Sequence, residues 1–301
     1  MALDVARVLT ADPDSLARTD IADHAVDALR HSGIREVILL GRRGLPQAAY
    51  TGPEFLALGQ LPGIDIVVDP ADLDDTVRAA LSDPGTDPAT RLKLTLAAEY
   101  ASRARTGARK RIVFRFHVSP TSLSGKQRVD AVHLVRNELH ETPDGLIAVP
   151  TAHAERLDAT LVLRAVGYRG APVPDVPFDP TAGVIPNEHV RGLDSAAAVI
   201  PGVYATGWIK RGPRGVIGTN RRDAEETVAA VVDDFLAGRL TPPRSDREAL
   251  SALLTRRCPN LVDRDGWGLI DAAERANGEK TKRPRVKFIR LNEMVDTARR
   301  G

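Results

Sequence analysis

Two short stretches combine glycines with cations, a pattern typical of sites for anionic ligands. The first, residues 207–220, reads GWIKRGPRGVIGTN and contains four glycines, a tryptophan and three cations. Glycines let a ligand approach the backbone closely, and the N–H groups at the start of a helix attract negative charge. Because a short apolar run precedes the stretch and a periodic helix follows it, the pattern indicates either an anion or dinucleotide site or a plain glycine-rich turn.

The second stretch is Gly41-Arg42-Arg43-Gly44, which directly follows an apolar run that predicts a strand. In a dinucleotide-binding fold the end of the second strand faces the adenosine ribose, where a carboxylate favours NAD. Two guanidinium groups bind a 2′-phosphate instead, through charge-assisted hydrogen bonds. Arg42 and Arg43 therefore favour NADP over NAD, with a solvated basic turn as the alternative.

A third basic stretch, residues 101–111, holds five cations and no carboxylate. It is consistent with electrostatic docking of an acidic protein, or with a solvated helix end and loop. The seven histidines show no metal-ligand spacing and Cys258 is the single cysteine, so we expect no metal site and no internal disulfide. No local spacing joins a nucleophile to a base, which leaves the catalytic residues unassigned.

The elements that position these residues alternate along the chain. Apolar runs predict strands at 35–40, 64–68, 111–118, 128–136 and 159–167. Helical periodicity covers the first residues of the chain, 20–31, 72–81, 90–104, about 220–237, 245–256, 270–277 and 293–300. Strands alternating with helices indicate a parallel α/β sheet, and the two successive strands that begin near residue 111 indicate an antiparallel excursion.

Length and composition indicate an ordinary globular protein. The 301 residues suit one large domain or two smaller ones, with 43% hydrophobic and 27% charged residues. The formal net charge of +2 gives no argument for a nucleic-acid partner. No run approaches the ~20 apolar residues of a membrane span, and the first residues lack signal-peptide character, so we expect a cytoplasmic protein.

Five segments, in this order, resemble one family. They are ALDVAR at 2–7, GRRG at 41–44, IVFRF at 112–116, VGYRG at 166–170 and GWIKRGPRGVIGTN at 207–220. Together they resemble the adrenodoxin-reductase-like ferredoxin–NADP reductases of mitochondria and actinobacteria. The resemblance runs from Ala2 to about Phe288, and the last segment is the most specific.

The resemblance implies an α/β, three-layer architecture of two nested Rossmann-like dinucleotide-binding domains. Residues 1–171 correspond to the NADP-binding domain without its first strand, and residues 172–301 to the C-terminal part of the FAD-binding domain. Family members carry a longer N-terminal part, which holds the first FAD loop and the turn that binds the NADP pyrophosphate. We therefore expect the chain to be an N-terminally truncated form.

The resemblance also implies which residues bind FAD. Gly207 and Trp208 belong to this set, and Trp208 packs near the flavin in this family. Gly215, Val216 and Ile217 give backbone contacts to FAD at a helix N-terminus, and Gly215 also approaches the nicotinamide.

For NADP, the resemblance assigns Arg42 and Arg43 to the 2′-phosphate and matches Glu54 to a further contact. Ala57 stands where some relatives have a glutamate proposed to serve proton transfer, so no catalytic acid or base is implied for this chain.

The implied activity is that of a flavin-dependent oxidoreductase, which passes electrons from NADPH through FAD to a ferredoxin-type iron–sulfur protein. The flavin converts a two-electron donor into one-electron steps. Two alternatives remain: another tandem-dinucleotide flavoprotein, similar to the small subunit of glutamate synthase, or a non-catalytic module that binds NADP or a partner. The sequence predicts no oligomeric state.

Overall fold

The computed structural model describes residues 1–143, 145–213, 215 and 217–300. The chain forms two compact units. Unit 1 comprises Met1–Leu163 together with Val262–Gly301, and unit 2 comprises Arg164–Leu261. The described residues combine parallel and antiparallel sheets with helices, so the fold is mixed α/β. None of the described helices is long and apolar enough to cross a membrane.

Unit 1 contains a parallel sheet of three strands. The strands are β1 (Glu36–Leu40), β2 (Ile64–Val68) and β3 (Lys110–Arg115), in the order β1-β3-β2. The helices of this part are α1 (Ala2–Thr10), α2 (Pro13–Leu16), α3 (Asp23–Arg30), α4 (Gly52–Gly59), α5 (Asp75–Ser82) and α6 (Pro88–Ser102). The parallel sheet and its alternation with helices confirm the prediction from the sequence.

The core of unit 1 lies between this sheet and its helices. Phe55 of α4 is fully buried, and its ring centroid lies 4.9 Å from that of Tyr100 and 5.0 Å from that of Phe114. Tyr100 also donates a hydrogen bond from its hydroxyl to the carbonyl oxygen of Phe55, at 3.1 Å. Edge-to-face aromatic pairs of this kind fix α4 and α6 on the sheet.

A second, antiparallel sheet follows β3 directly. Its strands are β4 (Val118–Ser124), β5 (Ala131–Thr142) and β6 (Gly145–Asp158), paired in chain order. The sequence predicted an antiparallel excursion but placed its first strand at 111–118, whereas residues 110–115 belong to the parallel sheet and β4 occupies most of the connection predicted after 118. It also missed β6, because the alternation of β6 is interrupted by charged and small residues that lie on its exposed faces.

The strand predicted at 159–167 is wrong. The last ladder bond runs from the Ala159 N–H to the carbonyl oxygen of Asp130, and the chain then continues without regular structure. Leu161 and Val166 are 51% and 83% exposed. An apolar run becomes a strand only when a neighbouring strand pairs with its backbone, and no described strand pairs with this one.

The last part of unit 1 consists of α10 (Arg264–Lys280) and α11 (Leu291–Ala298). Arg283, in the loop between them, donates from its Nε to the carbonyl oxygen of Thr19, at 2.9 Å, and forms an ion pair with Asp23. These contacts place 262–301 in the same compact unit as the N-terminal part of the chain. The resemblance instead assigned all of 172–301 to the FAD-binding domain. The assignment of ligands to 1–171 and 172–301 stays a prediction.

Unit 2 contains an antiparallel sheet followed by helices. The elements are β7 (Asn187–Glu188), β8 (Arg191–Leu193), β9 (Val199–Tyr204), α7 (Trp208–Arg211), α8 (Ile217–Leu236) and α9 (Arg247–Arg257). Asp234 of α8 is buried and accepts hydrogen bonds from Arg191 Nε at 2.9 Å and from the Tyr204 hydroxyl at 2.6 Å. The helix is confirmed, and within unit 2 it packs on the sheet through this carboxylate. Its predicted apolar face is not buried there, because Val228 and Phe235 are 63% and 70% exposed.

Candidate functional site

The turn formed by Arg42 and Arg43 lies at the carboxyl end of β1. Gly41 N–H donates to the carbonyl oxygen of Arg115 at 2.8 Å and thus extends the parallel pairing by one residue, after which the chain turns away. Both arginine side chains are exposed. Within the described ranges, neither guanidinium lies within ion-pair distance of a carboxylate.

Main-chain bonds hold this turn against the strand that follows β3. Val118 N–H donates to the carbonyl oxygen of Gly41 at 3.0 Å, and His117 N–H donates to that of Arg43 at 3.3 Å. Two carbonyl groups of the turn are therefore satisfied by neighbouring residues of one short segment. The backbone of the turn is fixed while its two cationic side chains face outward.

The side chain of Asn137 binds a third carbonyl group of the turn, that of Arg42. Its Nδ2 donates to the carbonyl oxygen of Arg42 and to Ser119 Oγ, both at 2.9 Å. Asn137 is only 3% exposed. Sequence reasoning missed this residue, since an Asn in a strand pattern gives no local signal that it reaches a turn 95 positions earlier in the chain.

Gly44, the last residue of the turn, has little space for a side chain. A Cβ atom placed there would lie 2.9 Å from His117 Nε2 and 3.2 Å from Gln47 Oε1, so the ends of these side chains would have to shift. His117 itself has φ of 55°, in the left-handed region. Burial lowers the pKa of His117, with Asp74 acting in the opposite direction. The side of the turn that faces the protein thus packs against the half-buried imidazole of His117.

Glu54 has a structural role at the start of α4. Its Oε2 accepts hydrogen bonds from Thr51 N–H at 3.1 Å and Thr51 Oγ1 at 2.9 Å, while Thr51 Oγ1 accepts from Glu54 N–H at 3.4 Å. This reciprocal pair is a capping box, which satisfies free N–H groups at a helix start. The further NADP contact predicted for Glu54 stays a prediction.

An acidic side chain with a raised pKa follows β2, the other outer strand of the parallel sheet. Burial, and then the like charge of Asp69, raise the pKa of Asp72 to about 6, although Arg136 and Arg115 oppose the change. Asp72 thus lies in the electrostatic field of Arg115, the last residue of β3, whose carbonyl also bonds the arginine turn. Strongly shifted carboxylates are more frequent at functional sites than elsewhere.

The glycine-rich stretch of unit 2 has the geometry that its sequence predicts. Gly207 and Gly215 have φ of 68° and 90°, conformations that favour glycine, and α8 begins at Ile217. Trp208 is 44% exposed, and its ring centroid lies 5.5 Å from that of Tyr168. Val216 and the side chain of Ile217 lie outside the described residues, so their predicted FAD contacts stay predictions.

Two cations of this stretch are used inside the protein. Asp223 of α8 is buried and pairs with Arg211 Nε at 2.6 Å and with Lys210 Nζ at 3.3 Å. Burial acts to raise the pKa of Asp223, but the hydrogen bonds from Arg211 and Lys210 outweigh it and hold the pKa below its usual value. Lys210 also pairs with Glu226 at 2.6 Å. These charges join α7 to α8, so Lys210 and Arg211 both have partners within unit 2.

The predicted site residues thus fall into two sets. Arg42, Arg43 and Glu54 lie in unit 1, and residues 207–217 lie in unit 2. Among the residues that the structure describes, no group of His, Cys, Asp and Glu side chains is arranged to hold a metal ion.

The chain is a mixed α/β protein that has a basic turn at the carboxyl end of a parallel strand and, in its other unit, a glycine-rich helix start, two features typical of nucleotide-binding proteins. No protein-family model matches the sequence. The chain is 44% identical to the NADPH-ferredoxin reductase FprA of Mycobacterium tuberculosis, over 98% of its own length and 64% of that protein. It is 37% identical to the mitochondrial NADPH:adrenodoxin oxidoreductase of Mus musculus, over 98% of its length and 61% of that protein.

A solved structure, Mycobacterium tuberculosis FprA in complex with NADPH, matches with a TM-score of 0.87 at 43% identity, covering 98% of this chain and 65% of that one. The close homologues are therefore ferredoxin–NADP reductases of the FprA type and adrenodoxin reductase, which confirms the resemblance that the motifs predicted. The chain spans just under two thirds of the length of these relatives.

Proposed function

We propose that this chain carries the nucleotide-binding residues of an NADPH–ferredoxin reductase, a flavoprotein that passes electrons from NADPH through FAD to a ferredoxin-type iron–sulfur protein. The observation that carries the proposal is the fixed turn with two exposed guanidinium groups, in a chain similar to FprA in complex with NADPH. The proposal includes two Rossmann-like domains, with NADP bound by residues 1–171 and FAD bound in part by residues 172–301. We expect the protein to act in the cytoplasm.

The residues present fit the NADP phosphate. Arg42 and Arg43 offer planar donors of fixed positive charge, and the backbone bonds of the turn leave both side chains free to reach a 2′-phosphate. NADH has a hydroxyl at that place and cannot form the charged pair. The two arginines would therefore select the phosphorylated nucleotide before any electron transfer begins.

The residues of unit 2 fit a flavin nucleotide. Gly215 keeps the backbone before α8 free of a side chain, and a Cβ atom there would lie 2.7 Å from Thr219 Oγ1. Trp208 presents a half-exposed aromatic face next to the same stretch. Bound FAD would supply the step from two-electron to one-electron transfer, and these residues would bind it and orient it.

The basic stretch at 101–111 supports the assignment of the partner. Within it, Arg105 and Arg109 are not paired with any described carboxylate, while Arg103 pairs with Glu99 of its own helix. Unpaired cations at a surface attract an acidic protein, and dissolved salt screens this attraction and shortens its range. The rate of ferredoxin reduction should therefore fall as ionic strength rises, and a flat salt response would remove this stretch from the proposal.

The proposal is tested by the nucleotide preference of the Arg42→Ala, Arg43→Ala double variant. Two lost charge-assisted bonds of ~1.5–3 kcal/mol each should weaken NADPH binding more than tenfold and leave NADH binding unchanged. The control is Arg105→Ala, which removes an exposed cation from the same unit and should change neither affinity. An equal loss for both nucleotides would contradict the proposal.

The visible spectrum of the purified protein separates the enzyme from the simpler module. Bound flavin gives a visible absorbance, which the reductase requires. A colourless protein that NADPH still stabilises against heat would instead support an NADP-binding module without catalysis.

A further inference from the structure

The antiparallel sheet β4–β5–β6 reaches the arginine turn through one side chain, that of Asn137. The carbonyl oxygen of Arg42 accepts from its Nδ2 at 2.9 Å. This carbonyl belongs to the peptide group that joins Arg42 to Arg43. Because a peptide group is planar, a bond that holds the carbonyl restrains ψ of Arg42 and φ of Arg43 together. Together with the main-chain bonds to Gly41 and Arg43, this hydrogen bond thus helps to set the directions in which both side chains leave the backbone.

We propose that Asn137 is a positioning residue for recognition of the 2′-phosphate. It acts through the backbone of Arg42 and Arg43 and does not touch the nucleotide. The inference rests on the proposed function, since it concerns how the same two arginines are aimed. It assigns a role to the antiparallel sheet, which would otherwise be only an insertion after β3.

The orientation of the Asn137 amide follows from its partners. A carbonyl oxygen only accepts hydrogen bonds, so the atom that faces Arg42 must be the NH2 group. The same group reaches Ser119 Oγ at 2.9 Å. The Oδ1 atom is buried and has no hydrogen-bond partner among the described residues. The bonds of this buried amide to the turn therefore depend on its donor side.

The strand that carries Asn137 departs from regular pairing at this residue. The register between β5 and β6 shifts between Val135 and Asn137, which lies opposite Pro150. Asn137 N–H donates to the carbonyl oxygen of His117 at 2.7 Å. Such irregularities turn a side chain out of the direction that the regular strand would give it. Asn137 thus binds the segment after β3 at two places, through its backbone N–H to His117 and through its side chain to Ser119. The same side chain binds the turn after β1 at Arg42.

The test compares the affinities of the full chain for 2′,5′-ADP and 5′-AMP, measured by calorimetry. These probes differ only in the 2′-phosphate, so their ratio reports how well the arginines are aimed. Asn137→Leu keeps the size of the side chain and removes the donor. We expect it to reduce the preference for 2′,5′-ADP about tenfold, with 5′-AMP binding unchanged. Ser119→Ala, the matched control, removes the other partner of the amide and should keep the wild-type ratio.

A folded Asn137→Leu protein with the wild-type ratio would overturn the inference and leave the proposed function standing. A wild-type chain without any preference for 2′,5′-ADP would overturn both. If Asn137→Leu does not fold, Asn137→Asp is the second variant. Its carboxylate cannot donate to Arg42 at neutral pH but gains a donor when it is protonated. The ratio of its affinities for 2′,5′-ADP and 5′-AMP should therefore approach the wild-type ratio at low pH. A ratio that stays at the wild-type value at every pH would again overturn the inference.

Discussion

Asp72 carries a charge that the folded state disfavours, and its removal should stabilise the protein. Burial and the neighbouring Asp69 raise its pKa from 3.8 to about 6. A raised pKa means that the folded protein binds the proton more tightly than the unfolded chain does. The stabilisation from this group is therefore complete below about pH 4 and is lost as the pH rises through 6. Asp72→Asn imitates the protonated form at every pH.

The size of the effect follows from the same difference. A rise from 3.8 to about 6 corresponds to about 3 kcal/mol between the two protonation states. Asp72 keeps part of its surface in water, where charges are screened, so the realised value is nearer 1 kcal/mol. At about pH 7.5, Asp72→Asn should therefore raise the free energy of unfolding by about 1 kcal/mol, and at about pH 3.5 it should change nothing.

Urea unfolding of both proteins at the two pH values measures this directly, provided that the slopes of the transitions agree. Asp75→Asn is the control, because Asp75 is fully exposed and its one ion pair among the described residues is with Arg78 of its own helix. It should leave stability within about 0.5 kcal/mol at either pH. A loss of stability in Asp72→Asn at neutral pH, or a gain of equal size at both pH values, would refute the reasoning.

Three further predictions concern the helix starts and the buried charges. Glu54→Ala and Thr51→Ala should each lower the free energy of unfolding by about 1 kcal/mol, because each removes the capping box, whereas Glu54→Gln should keep the wild-type stability in thermal melts. A Glu54→Gln variant with normal stability but weaker NADPH binding would show that Glu54 contacts the nucleotide. Gly215→Ala should cost at least about 1 kcal/mol and lower the flavin content, measured by absorbance, because φ is positive there; full flavin content would contradict this. Asp223→Asn should destabilise by about 1.5–3 kcal/mol in urea unfolding, because Arg211 loses a charged partner; an unchanged midpoint would show that the pair is energetically neutral.

The sequence predicted the parts of the fold whose cause is local. The apolar runs of β1 and β2, each closed by turn residues, lie in the structure within one residue of their predicted bounds. The arginine turn at the end of β1 was also visible, since both its residue types and its place after a strand are local facts.

The errors concern contacts between distant parts of the chain. The run at 159–167 has the composition of a strand, but pairing decides whether such a run becomes one, and pairing cannot be deduced from the run itself. In the same way, the sequence predicted no partner for Lys210 and Arg211, and the structure places Asp223 beside them. The role of Asn137 depends on a bond across 95 positions, beyond any local pattern.

The bonds that hold the turn after β1 have a consequence for how nucleotide preference changes during evolution. They use carbonyl groups of the turn, a side chain from β5 and a glycine packed against His117, and none of these bonds uses a guanidinium. Replacing Arg42 or Arg43 therefore leaves the scaffold of the turn in place. Under the proposed function, changes in these two codons would alter the nucleotide preference of a lineage while the bonds that hold the turn stay in place.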